Sequence, residues 1–133
     1  MRRSRGQALV ELAVCMPFVL MLGVGATAVV VLADATSGLH AATDEAVAAA
    51  ARAPDAAAAR AAAQARFASV IAGYPVRSPS LRLNEGGFAR GAVVSATSAG
   101  YVDLGWAAIG VVAARIDVAA DASMSIEPWR TRP

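Results

Sequence analysis

The spacing of hydrophobic and polar positions changes three times along the chain. Between Leu12 and Ala33 lie 22 residues with one polar side chain, Thr27. A helix rises about 1.5 Å per residue, so such a run spans roughly 33 Å, enough to cross the hydrocarbon core of a bilayer. Pro17 falls inside the run, where a membrane helix takes a proline as a bend rather than a break. From Thr36 to Arg52 polar residues return at intervals, with no proline, one glycine and many alanines, the strongest helix formers. Leu39, Ala42, Ala46 and Ala49 or Ala50 recur every three or four residues and line a narrow apolar stripe, with Asp44 and Glu45 opposite. The pattern predicts one continuous helix from about Gln7 to Arg52, its small residues permitting close approach of another helix.

Ala53-Pro54-Asp55 interrupts that helix, because a residue before proline is biased out of the α region. A second helix is expected from Asp55 to Ala72, with Pro54 as its first-turn residue and Asp55 favourable to its dipole. Phe67, Val70 and Ile71 are its large apolar side chains, and Arg60, Gln64 and Arg66 give it a wet face. Gly73 is the stop, followed by Tyr74-Pro75.

Beyond Ser78 the period becomes two. Leu81 and Leu83 flank Arg82 ahead of the turn signal Asn84-Glu85-Gly86-Gly87, and Ala92 to Ser98 reads as a strand. Ile116, Val118, Ala120, Ala122, Met124 and Ile126 alternate with Asp117, Asp121, Ser123, Ser125 and Glu127, Ala119 being the one exception. That alternation predicts a half-buried strand of about eleven residues. Leu104 to Ala114 is apolar but too short to span a membrane, so it is read as a buried connection against the second helix, anchored by Trp106. The expected fold class is α+β. A long N-terminal transmembrane helix continues into an Ala-rich extracytoplasmic helix, followed by a second helix and a small antiparallel sheet of two to three strands.

Composition supports the division. Hydrophobic residues make up 57% of the 133 residues and aromatics only 5%, with 35 alanines and no lysine. A compact soluble core of that apolar content carries more aromatic volume, so the large apolar side chains must be concentrated in one segment. Charge is also localised. Arg2, Arg3 and Arg5 give +3 ahead of Gly6, Glu11 alone gives −1 up to Ala33, and nine arginines balance nine acids thereafter. The remainder therefore has no basic face to offer nucleic acid. No Lys or Arg follows the apolar run until Arg52, so the positive-inside bias puts the N-terminus in the cytoplasm and the C-terminal module outside.

Catalytic chemistry finds little support. His40 is the only histidine, with Asp44 one turn on, a spacing that lets the two share a helix face and hydrogen-bond. A lone histidine on an Ala-rich helix is far more often solvated than catalytic. One His and one Cys15 within the apolar run cannot assemble the converging ligands of a metal site. Ser37 lacks a base and orienter. Gly86, Gly87 and Gly91 do not open a helix, so no phosphate loop is implied. Asp117, Asp121 and Glu127 are assigned to a solvated strand face. No catalytic, cofactor or metal site is expected.

Three readings compete for the apolar run. A secretory signal would end at Ala33-Asp34-Ala35, cleaved after Ala35, but the run exceeds the roughly 7–15 residues of a signal's apolar region. A plain single-pass anchor for an extracytoplasmic binding module is the second. Neither accounts for a carboxylate, Glu11, at the mouth of the run.

The third reading starts from that residue. A basic leader, Gly6, then Gln7-Ala8-Leu9-Val10 and Glu11 ahead of the apolar stretch resembles the processing site of type IV prepilins. The resemblance implies cleavage after Gly6 by a membrane aspartic peptidase on the cytoplasmic side. More narrowly, Arg5 through Val14 with Pro17 beyond is similar to the start of TadE-type minor pseudopilins of the tight-adherence (Flp-type) pilus. The closing Ala122-Ser123-Met124-Ser125-Ile126-Glu127 is similar to that family's final strand. Leu12 departs from the family, which often has an aromatic after the Glu.

The resemblance implies a non-enzymatic subunit with a leader over 1–6, a transmembrane and assembly helix over 7–33, Ala-rich helices over 34–73 and a small β-containing module over 74–133. Gly6 and Gln7 would form the processing site, Glu11 would serve assembly, and Arg2, Arg3 and Arg5 would set membrane orientation. The implied partners are the prepilin peptidase, the major and other minor pilins, the membrane assembly platform and the lipid bilayer. The implied location is the inner membrane, with incorporation into an extracellular pilus.

Overall fold

The computed structural model describes residues 3–88, 91–107 and 115–126. Its fold is α+β. Helix α1 runs over Arg3–Ala51, 49 residues without a break at Pro17. Helix α2 follows over Ala56–Ile71, and strands β1 (Arg77–Asn84), β2 (Val93–Asp103) and β3 (Arg115–Ser125) form one antiparallel sheet in the order β1-β2-β3.

The break between the helices is where Ala53-Pro54 requires it, with a tightened final turn in which Ala53 N–H reaches the Ala50 carbonyl at 3.1 Å. Asp55, not Pro54, opens α2. Its backbone is extended (φ −146°, ψ 172°) and its carboxylate accepts from the Ala58 N–H at 2.8 Å. A short carboxylate satisfies an orphan N–H that proline cannot, so Asp55 becomes the cap and Pro54 lies just outside the helix. Ala59, Ala63, Phe67 and Ile71 recur every four residues and are the buried ridge of α2, which packs on α1.

The C-terminal half of α1 is the centre of the module. Ala35, Leu39, Ala42, Ala46, Val47 and Ala50 are buried, so the narrow stripe expected from spacing faces a real core. α1 lies across β2 and β3 while α2 sits beside it and reaches β1, so two helices cover one face of the sheet. Alternate residues of β2 (Val94, Ala96, Ser98, Val102) and of β3 (Val118, Ala120) point inward. Asp117, Ala119, Asp121 and Ser123 face solvent, as the period of two requires, Ala119 included.

The close layer contact is fixed by one buried polar pair and one glycine. Thr43 Oγ1 and Ser98 Oγ lie 2.6 Å apart between α1 and β2, and each also reaches a backbone carbonyl, Leu39 at 2.6 Å and Ala120 at 3.4 Å. Both hydroxyls are thereby satisfied away from water. At Gly38 the Tyr74 ring lies directly on the helix backbone: a Cβ there would come within 2.1 Å of Tyr74 Cγ. The connection from α2 to β1 is thus clamped to α1.

β2 runs five residues further than its apolar pattern suggested. Ala99-Gly100 weakens the strand signal, but the partner strand takes up the irregularity as a bulge between Arg77 and Ser80, with Ser78 at φ 47°. Trp106 also departs from expectation. The segment after β2 is a tight turn, Gly105–Ala107, that packs on α1. Leu104 and Ala107, three residues apart, share its inner side and are buried, whereas Trp106 is 54% exposed. Residues 108–114 of the expected connection lie outside the described residues.

Candidate functional site

The feature that asks for a partner is the N-terminal half of α1. From Gly6 to Thr27 every residue is exposed except Val24, which is partly covered. Large side chains stand free on all sides, Leu9, Leu12, Phe18 and Leu22 among them, with Leu22 at 74% exposure. A helix that is hydrophobic all round is one buried in a large core or a membrane. Nothing among the described residues of this chain buries it. It is long and apolar enough to cross a bilayer.

The few polar atoms of this segment are handled locally. Thr27 Oγ1 donates to the Gly23 carbonyl at 2.9 Å, which hides its hydroxyl along the helix. Gly23 and Gly25 have open space where a Cβ would stand, so no packing among the described residues accounts for them. Cys15 is a free, exposed thiol on the same segment.

Glu11 is the one acid of the apolar half. Gln7 Nε2 donates to Glu11 Oε1 at 3.3 Å, one helical turn away. Because the amide donor is neutral, this bond does not compensate the carboxylate's charge. The structure therefore brings together two of the residues singled out by sequence, Gln7 and Glu11. Gly6 lies one position before them, exposed and in the same continuous helix. Arg3 and Arg5 belong to the first turns of α1. Arg2 and Glu127 lie outside the described residues.

Elsewhere some of the module's charges are paired on its surface. Arg60 bridges α2 to Glu85 with its Nη2 at 3.1 Å from Oε2, and Arg66 reaches Glu45 at 3.1 Å. The Arg115 guanidinium sits 3.8 Å over the Tyr101 ring and 3.3 Å from Asp117. His40 and Asp44 are both exposed, and among the described residues no hydrogen bond joins them. Asp117 and Asp121 occupy the solvated sheet face, as read from sequence.

Sequence reasoning missed a groove of about 760 Å³ at the end of the module where α1 enters it. Val31, Tyr74, Val76, Val102 and Trp106 line it, together with Arg77 and Asp103. The Asp103 carboxylate accepts from the Gly105 N–H at 2.8 Å, which shapes the turn that presents Trp106. The available signal was Asp103-Leu104-Gly105-Trp106, a turn-forming acid and a glycine around an aromatic.

No protein-family model, no curated protein and no solved structure matches the chain.

Proposed function

We propose that the chain is a non-enzymatic minor pilin of the tight-adherence type. It is inserted with its N-terminus in the cytoplasm, trimmed after Gly6, and built into or under a surface fibre through its N-terminal helix. The observation that carries this reading is the apolar half of α1, uncovered within its own chain and headed by a carboxylate. Such a surface needs lipid first and like helices afterwards. A carboxylate buried among helices costs several kcal/mol unless a cation meets it. Trimming after Gly6 supplies that cation: the new α-amino group of Gln7 lies one turn from Glu11, where it serves the same or a neighbouring subunit. Trimming also removes Arg2, Arg3 and Arg5, whose charges hold the helix in the membrane. The module of residues 34–133 stays outside, with its partners the other pilins and the assembly platform.

Mass spectrometry of the mature N-terminus tests the reading. A chain beginning at Gln7 supports it. An uncut chain supports a membrane-anchored binding module instead, and a chain beginning at Thr36 supports a secreted protein. Replacing Gly6 by a bulky residue should leave the chain at the full mass of the uncut variant, and trimming to Gln7 in that variant would refute the peptidase step. Glu11→Ala should be trimmed yet fail to assemble; normal fibres in that variant would refute the pairing.

A further inference from the structure

We propose that the groove where α1 enters the module seats on the outer leaflet of the bilayer, with the Trp106 indole in the headgroup layer. The inference rests on the reading that α1 crosses a membrane. Numbering from Glu11 to Val31 advances 20 residues. At about 1.5 Å per residue this is roughly 30 Å, the thickness of the hydrocarbon core. With Glu11 at the inner boundary, Val31 stands at the outer one. Val31 is also a wall of the groove, so the apolar surface of the helix runs without a gap into the surface that carries Trp106.

The chemistry of the groove fits that depth. An indole has an apolar body and one N–H donor, and it favours the boundary between hydrocarbon and water. Trp106 is held outward by a turn whose other large residue, Leu104, is buried. Among the described residues, the other large apolar side chains left exposed on the module are Val93 and Met124. They belong to the opposite end of the sheet, where Val93 pairs with Ser125 and Val94 with Met124. Arg77 and Asp103, which share the groove, suit a zwitterionic headgroup layer and not hydrocarbon. Tyr74, packed on Gly38, makes one wall of the groove.

The test is depth-dependent fluorescence quenching of the full-length protein in vesicles of phosphatidylethanolamine and phosphatidylglycerol. Trp129→Phe leaves Trp106 as the sole tryptophan, and the difference between the parent and Trp106→Phe gives the same signal with Trp129 intact. The protein should float with the vesicles, its Trp106 emission should shift to the blue, and it should lose more fluorescence to lipids brominated near the glycerol than near the terminal methyl. Iodide in the water should quench it weakly. Floating protein whose Trp106 is quenched by iodide as readily as free tryptophan would overturn the inference and leave the membrane reading standing. A Trp106 shielded from iodide yet indifferent to brominated lipid would mean that protein covers the groove, which also overturns it. Protein that does not float would remove the membrane reading itself.

Discussion

The two halves of α1 are one continuous rod, yet they are built for different surroundings. From Gly6 to Thr27 the apolar side chains are large and point in every direction, and the chain covers none of them fully. From Ala35 to Ala50 they are mostly alanine, and Ala35, Leu39, Ala42, Ala46, Val47 and Ala50 are buried against α2 and the sheet. Width of the apolar stripe and size of its residues separate the halves, since overall hydrophobicity is high in both. A narrow stripe of small residues brings the partner elements close enough for Tyr74 to lie on Gly38 and for Thr43 to reach Ser98. An all-round surface of Leu, Val, Met and Phe finds no such partner here and is suited to lipid or to neighbouring helices.

Substitutions in matched pairs break or sharpen this contrast. Leu39→Ala should lower the unfolding stability of the full chain in detergent by about 2–5 kcal/mol, because Leu39 is fully buried. Leu22→Ala, at a similar residue in the exposed half, should stay within about 0.5 kcal/mol in the same denaturation experiment. Equal losses at the two sites would erase the distinction. The inverse pair uses charge: Leu22→Arg should disfavour membrane insertion by about 2.5–3.5 kcal/mol, read as a loss of membrane-integrated protein, while the module melts as before.

Smaller effects report on how the upper half is held. Thr43→Val should cost about 1–3 kcal/mol by urea unfolding, since it strips the 2.6 Å partner from the buried Ser98 hydroxyl. Combining it with Ser98→Ala should cost less than the two single changes added together, because no hydroxyl is then left unmatched. Asp55→Ala removes the cap of α2 and should cost about 0.5–2 kcal/mol in the same assay, with no change in membrane insertion.

The legible parts of the fold were those set by local chemistry. The helix break at Ala53-Pro54 and the alternation of β3 from Ile116 to Ala122 follow from residues next to one another and stand where spacing placed them, whereas Met124, expected on the apolar side, is exposed. The features that escaped depend on contacts across the fold. Gly100 looks like the end of a strand until Val76 and the bulge in β1 are seen to occupy the space its side chain would need, 2.5 Å from Val76 Cγ1. Trp106 reads as a core anchor until the tight turn assigns the inner side to Leu104 and Ala107. Thr43 is one polar residue in an alanine helix, and only the sheet reveals its partner. At the candidate site, the turn spacing of Gln7 and Glu11 was visible in sequence. The proposed pairing of Glu11 with a new α-amino group rests on chemistry outside the described chain.

Cys15 offers the most direct test of the central claim, that the lower half of α1 is housed away from water. It is the chain's one cysteine and is exposed on that half. A water-soluble maleimide added to open, sheared membranes reaches both faces of the bilayer. Cys15 should remain unlabelled until detergent is added, while Asp44→Cys in a Cys15→Ser background, at an exposed position of the upper half, should label at once. Labelling of Cys15 as fast as that control, without detergent, would contradict the account.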